Sequence, residues 1–289
     1  MDKAGDPVNA EGGGNLAEPA TVGALLSAAT ALPVGRLDAE VLLAALLRLP
    51  RAQLIAFEER AVDPLTAAMF QAGLERLAAG EPLAYVTGVK EFWSLPVTVA
   101  PGVLVPRPET ELLVELCLAR LGPEARRVAD LGTGSGAIAL ALSRERPAWR
   151  IVATDQSADA LDIARANCRR LGAANVELRQ GSWCEPLVTE RFDAIVSNPP
   201  YIAPGDPALA ALRHEPVEAL VAADQGFADL FAIAACARTH LLPGGLLLLE
   251  HGAGQSPKLM EHLAGLGYRD PASHRDLAGH DRVVSAVWP

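Results

Sequence analysis

The chain has no apolar run approaching the roughly 20 residues that cross a bilayer; the longest obvious one, Leu246 to Leu249, is strand-sized. No association with a membrane is expected. Its four cysteines, Cys117, Cys168, Cys184 and Cys236, are widely spaced and form no C-x-x-C pair. Metal and redox readings therefore fall away, and four buried free thiols are expected. The six histidines show no metal-ligand spacing, so no metal is expected. Positive charge is not in excess: the formal net charge is -10, and no global field draws the chain onto nucleic acid. Frequent arginines leave only a local basic groove open. The first residues include Asp2, Asp6 and Glu11 and lack an apolar h-region, so they do not read as a secretory signal. A cytoplasmic location is expected.

What is present is ordinary for a globular protein: 289 residues, 50% hydrophobic and 21% charged. That length suits one large domain with a smaller companion. Residues 1–20 are rich in Gly, Ala, Glu and Pro around Gly12-Gly13-Gly14 and read as a disordered leader. From residue 21 to about 82 the pattern is helical, over Gly23 to Ala31, Leu37 to Leu49 and Pro64 to Ala79. Leu37, Val41, Leu42, Ala45 and Leu49 recur at helical spacing, and Asp63-Pro64 has the composition of a helix start. Residues 83–108 change character. Phe92 to Leu95 and Val97 to Val99 are β-prone, punctuated by Pro96, Pro101, Pro106 and Pro108, and predict a hairpin linking two domains. A helix is expected from Glu109 to about Leu121.

From Arg126 onward strands and helices alternate. Strands are predicted at Arg127 to Leu131, Ile151 to Asp155, Val176 to Gln180, Phe192 to Ser197 and Leu246 to Glu250. Helices are predicted at Gly136 to Glu145, Ala158 to Leu171, Leu230 to Leu241 and Pro257 to Leu266. The rhythm implies an α/β domain over residues 109–289, with a mostly parallel sheet. Two last strands, Arg269 to Leu277 and Arg282 to Val287, have little helix between them and suit antiparallel pairing.

Two motifs carry chemistry. Asp130-Leu131-Gly132-Thr133-Gly134-Ser135-Gly136 sits where the first strand turns into a helix. Glycines there permit unusual backbone angles and close approach of a ligand, and the helix N-terminus adds exposed N–H groups. Gly136 comes one residue too early for the G-x-G-x-x-G dinucleotide pattern, which weakens an oxidoreductase reading. Asp155 ends the next strand, placed to hydrogen-bond ribose hydroxyls; a bland alternative makes it a helix N-cap, a place Ser157 could also take. An adenosine-type ligand is expected.

The second motif is Asn198-Pro199-Pro200-Tyr201, at the carboxyl end of a strand, where open α/β sheets bind ligands. A proline-rich loop merely ending a strand would need no such order. A planar amide or amino nitrogen is a poor nucleophile whose hydrogens lie in the molecular plane. The Asn198 side-chain oxygen and a backbone carbonyl, that of Pro199, can accept those two hydrogens and present the lone-pair face. Such acceptors also stabilise positive charge developing on nitrogen. Both prolines stiffen the loop, and Tyr201 offers a flat aromatic surface to the planar group or to a positively charged methyl donor. No base is evident nearby, with Asp193 left open.

With Asp155, Trp183 and the linker motifs added, the sequence resembles the release factor glutamine N5-methyltransferases, within the class I S-adenosylmethionine-dependent methyltransferases. The linker motifs are Gly80-Glu81-Pro82, Glu91 to Leu95, Pro106-Arg107-Pro108-Glu109-Thr110-Glu111, Glu215-Pro216, Ala222 to Gly226 and Glu250-His251-Gly252. The resemblance runs from about residue 22 to the C-terminus. It implies a Rossmann-like, mostly parallel seven-stranded sheet with an antiparallel last strand, plus an N-terminal helical bundle that grips the substrate.

It also implies S-adenosyl-L-methionine as cofactor, held by Gly132, Thr133, Gly134, Ser135 and Gly136, with Asp155 on its ribose, Trp183 near its adenine and Asn198 alongside. Asn198, Pro199, Pro200 and Tyr201 would hold the glutamine of a Gly-Gly-Gln loop in class 1 peptide chain release factors. Phe92 and Arg107 either close over the pocket or are structural. Trp183 could equally be a half-buried core aromatic, and His214 and His251 read as structural. Cys184 departs from the larger residue expected after the tryptophan. A monomer is expected, with no direct nucleic-acid substrate. Rival readings are a glutamine methyltransferase acting on a ribosomal protein, an adenine N6-methyltransferase flipping its base, and a non-catalytic cofactor-binding module.

Overall fold

The structure, a computed structural model, describes residues 20–289 and falls into two units, one ending at Ala79 and one running from Gly80 to Pro289. The leader expected over residues 1–20 lies, but for Ala20, outside the described residues. The smaller unit is helical: α1 (Val22–Ala29), α2 (Arg36–Leu47), α3 (Arg51–Ala56) and α4 (Pro64–Ala78). Caps mark the starts. The Thr21 hydroxyl accepts the Ala24 N–H, and Asp63 Oδ1 accepts that of Thr66, with Pro64 in the first turn.

The buried stripe of α2 includes Ala39, Leu42 and Leu43, and the helix packs on α3 and α4, where Leu54, Phe70 and Leu74 are buried, whereas Leu37 is 53% exposed. The expected face was thus off by a fraction of a turn, because Leu37, Val41 and Ala45 are four apart and drift around the helix. Glu40, also on α2, is buried and clasped by Arg36 and Arg51. The short α3 was not expected; six residues are too few to show a period.

The larger unit opens with α5 (Leu83–Thr87) and an antiparallel hairpin of β1 (Val89–Phe92) and β2 (Leu95–Thr98). The hairpin is no free linker: Phe92, Leu95, Val97 and Val99 are buried in this unit's core. After α6 (Glu111–Arg120) come β3 (Arg127–Leu131), α7 (Ala137–Glu145), β4 (Arg150–Asp155), α8 (Ala158–Leu171), β5 (Val176–Gln180) and β6 (Phe192–Ser197). Then follow α9 (Ala228–His240), β7 (Leu241–Glu250), α10 (Ser256–Gly265), β8 (Arg269–Arg275) and β9 (Asp281–Val287). The seven strands from β3 onward form one sheet in the order β5-β4-β3-β6-β7-β9-β8. β9 alone in this sheet runs antiparallel to its neighbours, as the terminal pair suggested. Leu277, expected within a strand, instead lies fully exposed in the turn between β8 and β9.

The central strands are buried on both faces, and period two divides them between two cores. Val128, Ala194 and Val196 join one core with Leu113 and Leu140; Ala129, Leu131 and Ile195 join the other with Leu230, Ile233 and Leu259. That double burial is why these strands read as continuous apolar runs. From β3 the chain winds first toward β4 and later toward β6, so the strand order reverses between β3 and β6. At such a switch point the connections diverge and leave a crevice beyond the strands' carboxyl ends.

Candidate active site

The glycine turn leaves the carboxyl end of β3. Gly132, Gly134 and Gly136 all take positive φ (71°, 55° and 85°), which folds the chain back tightly enough for α7 to start at Ala137. Asp130 pins this turn from beneath. Its Oδ2 accepts the Thr133 hydroxyl at 2.6 Å and the Ala139 N–H at 3.2 Å. Complete burial pushes its carboxyl up to about 7. Buried Asn167, in the middle of α8, binds the Ser135 carbonyl at 3.0 Å and both backbone groups of Thr98 at 2.9 Å. One side chain thus joins the turn, helix and hairpin.

Asp155 ends β4 beside the turn. Its Oδ2 accepts the Gly134 N–H at 2.8 Å and its Oδ1 that of Ser157 at 2.9 Å, while Ser157 itself caps α8. Burial raises its pKa against those hydrogen bonds. Each carboxylate oxygen keeps a further lone pair. Trp183 lies across the turn so closely that a Cβ on Gly132 would sit 3.0 Å from its Cζ3. The Thr154 hydroxyl donates to the Trp183 carbonyl at 3.0 Å.

β6 delivers the second motif. The Ser197 hydroxyl donates to the Leu131 carbonyl at 2.7 Å, tying the ends of β6 and β3 together. Asn198 Nδ2 donates to Thr110 Oγ1 at 3.0 Å. Tyr201 is held at both ends: its hydroxyl donates to Glu250 Oε1 at 3.2 Å, and its carbonyl accepts Gln255 Nε2 at 3.1 Å. Gly226 packs on that carbonyl, with φ 88° and no room for a Cβ. Burial raises the Tyr201 phenol, so it stays protonated.

These elements enclose a cavity of about 320 Å³, in the size range of small-ligand sites. Of the residues singled out from sequence, Gly132, Gly134, Asp155, Trp183, Asn198 and Pro200 stand on its wall. Others do not. Thr133 and Ser135 are buried, the Thr133 hydroxyl turned to Asp130, and Gly136 packs toward Ala164 and Leu140. Pro199 is buried, and Tyr201 is committed to Glu250 rather than offered as a flat surface on this wall. Phe92 is 1% exposed in the core, because the hairpin folds into it. Arg107 pairs with Glu215, whose other oxygen accepts the Val105 N–H at 2.9 Å. That pair braces the segment carrying the wall residues Gly102, Val103 and Leu104, none of which was foreseen.

Asp193 sits at the amino end of β6, paired with Arg126 and the Arg127 N–H, so it cannot serve as a base beside Asn198. His251 is buried, with Nδ1 on the Gly252 carbonyl. Among the described residues no group of His, Cys, Asp and Glu side chains could hold a metal ion, and no helix is long and apolar enough to cross a membrane. The expectation of four free thiols is overturned. Cys184 and Cys236 are disulfide-bonded, their Cα atoms 6.1 Å apart, while Cys117 and Cys168 are free. The partners lie 52 residues apart in sequence and meet only because the segment after β5 and helix α9 share one core.

Comparison with known proteins agrees with this geometry. Residues 108–221 match the methyltransferase small domain and residues 23–88 the PrmC N-terminal domain. The release factor glutamine methyltransferase of Xylella fastidiosa is 48% identical over 92% of this chain and 98% of its own length. That of Aliivibrio fischeri is 46% identical (88% and 90%), and that of Escherichia coli 45% (86% and 91%). Among solved structures, a Pyrococcus furiosus methyltransferase superposes with TM-score 0.53 at 21% identity, over 75% of this chain and 96% of that one. A Thermus thermophilus 16S rRNA methyltransferase gives 0.52 at 24%, over 70% and 50%. These two share the fold. The identities and coverage of the curated relatives show more: this chain belongs to the release factor glutamine methyltransferase family.

Proposed function

We propose that the protein transfers the methyl group of S-adenosylmethionine to the side-chain amide nitrogen of the glutamine in the Gly-Gly-Gln loop of class 1 peptide chain release factors. The observation that carries this reading is Asn198. Its NH2 is engaged by Thr110, which leaves its oxygen as an acceptor at a cavity wall shared with Gly132, Gly134 and Asp155.

The residues fit the cofactor. A Cβ on Gly134 would meet nothing within 4 Å, so the turn faces open space at this residue. The spare lone pairs of Asp155 suit ribose hydroxyls, and the Trp183 ring forms an apolar wall for the adenine. S-adenosylmethionine supplies a methyl already activated by a sulfonium. The protein's task is then proximity and alignment, which contribute about 7–11 kcal/mol in well-oriented reactions.

Asn198 Oδ1 accepts one N–H of the glutamine amide, and a backbone carbonyl of the adjoining proline segment accepts the other. The amide is thereby turned with its face to the methyl donor, and charge developing on nitrogen is stabilised. Tyr201, fixed by Glu250 and Gln255, keeps the loop rigid rather than contacting the methyl donor. The helical unit ending at Ala79 recognises the release factor, and the enzyme acts as a cytoplasmic monomer.

Methyl incorporation from labelled cofactor tests the substrate class. Incubation with a release factor, a ribosomal protein and duplex DNA should label the release factor alone. Labelling of DNA or of the ribosomal protein, with the release factor left bare, would replace this reading by one of its rivals.

A further inference from the structure

Pro199 and Pro200 have no N–H by which the rest of the protein could hold the loop between Asn198 and Tyr201. Its anchor beyond the reacting residue must be a carbonyl or a side chain. The Tyr201 carbonyl takes that part. It accepts Gln255 Nε2 at 3.1 Å, and the same Nε2 reaches the Gly226 carbonyl at 3.4 Å. Gln255 Oε1 accepts the Gly252 N–H at 2.8 Å. One amide thus bridges the loop after β6, the turn before α9 and the loop after β7.

The surroundings select glutamine. They present one N–H and two carbonyls, and a primary amide carries one acceptor oxygen and an NH2 with two donors. A carboxylate would set a negative oxygen against carbonyl oxygens, and an apolar side chain would leave every one of these groups unpaired. The space fits the amide as well. A Cβ on Gly226 would overlap the Tyr201 carbonyl, and one on Gly252 would sit 3.2 Å from both Gln255 Oε1 and the Tyr201 ring. The mount is rigid. Gln255 is 9% exposed, its N–H donates to the Gly252 carbonyl, and its own carbonyl accepts the N–H of Leu259, a wholly buried residue of α10. Gln255 does not line the cavity. Because both prolines fix φ, a shift of the Tyr201 carbonyl passes back along a stiff segment to Asn198.

We propose that Gln255 is a positioning residue for methyl transfer: its NH2, holding the Tyr201 carbonyl, fixes the loop on which Asn198 meets the substrate amide. This rests on the reading of Asn198 as the group that holds that amide.

The test is steady-state kinetics with a class 1 release factor, beside calorimetric cofactor binding, on full-length variants. Gln255→Glu keeps the shape and the acceptor for the Gly252 N–H but removes the donors, so it isolates the hold on Tyr201. Gln255→Met keeps the length and removes both halves without adding charge. In each, kcat should fall roughly 10- to 100-fold, the scale of a small misalignment. KM for the release factor and cofactor affinity should stay within about threefold, since Gln255 lies off the cavity. A wild-type kcat in either variant would show that the loop is placed without this amide and would overturn the proposal. So would loss of cofactor binding in both, the mark of a general structural role. Asn198→Ala separates this inference from the reading beneath it. An active Asn198→Ala enzyme removes the basis for both, whereas an inactive one, with Gln255→Glu at the wild-type kcat, overturns the positioning role alone.

Discussion

Trp183 lies so close over Gly132 that a Cβ added to the glycine would come within 3.0 Å of its ring. The absence of a side chain at one residue therefore sets the position of the other. Gly132 also takes φ 71°, which L-residues adopt at a cost of about 1–2 kcal/mol. Gly132→Ala should weaken S-adenosylmethionine binding on the order of tenfold or more, since each 1.4 kcal/mol is tenfold. Calorimetric titration checks this, and unchanged affinity would contradict the placement of both residues.

Asp155 should divide its effects differently from Asn198. A charge-assisted hydrogen bond is worth about 1.5–3 kcal/mol, so Asp155→Ala should weaken cofactor binding roughly 10- to 100-fold. Its kcat at saturating cofactor should fall much less. The same titration and a saturation curve measure the two effects.

Asn167 makes a stability prediction. Its amide satisfies the Thr98 N–H and carbonyl and the Ser135 carbonyl, and it is itself fully buried. Asn167→Ala would leave those groups unpaired at about 1–3 kcal/mol each, moderated by relaxation, for a net loss of about 2–4 kcal/mol. Urea denaturation reads it directly. A change below about 1 kcal/mol would show that the hairpin and glycine turn are held by other means.

Stability should fall as pH rises through the range in which two buried carboxyls ionise. Burial pushes the carboxyls of Asp130 and Glu250 up to about 7. Tyr201, Arg282 and Glu109 are the charged or titratable neighbours acting on Glu250, with Arg282 lowering its pKa and Glu109 raising it. A carboxyl raised in the folded state binds its proton more tightly there than when unfolded. Its contribution to stability is present at low pH and falls away as pH rises from about 4 to 7. Thermal unfolding followed from about pH 5 to about pH 8 should show this decline. The part due to Glu250 should disappear in Glu250→Gln, whereas an unaltered profile would exclude its titration as the cause.

Much of this was legible in the sequence because period and position carried it. Ala158 to Leu171 and Phe192 to Ser197 are bounded as their patterns indicate. Asp155 and Asn198, each ending a buried strand at its carboxyl side, are polar where the strand's own packing requires nothing polar. Glu250 carries the same signal, an acid ending the apolar run Leu246 to Leu249, but the motif Glu250-His251-Gly252 entered only through the family resemblance, with no role for the acid.

What stayed hidden depends on distance in sequence. Asn167 is an ordinary mid-helix polar residue until the hairpin 69 residues earlier folds against it. The bond between Cys184 and Cys236 leaves no trace in spacing. Resemblance left Phe92 open between the pocket and a structural role, and the alternation of β1 turns it into the core.

The central claim is that this cavity presents a glutamine amide to a methyl donor through Asn198. Tandem mass spectrometry of the Gly-Gly-Gln peptide tests it most directly, after a class 1 release factor has been incubated with S-adenosylmethionine and either the wild-type enzyme or Asn198→Ala. The account predicts one added methyl on the glutamine side chain with the wild type and none with Asn198→Ala, although both bind the cofactor. A methylated peptide from Asn198→Ala, or an unmodified one from a cofactor-bound wild-type enzyme, would contradict it.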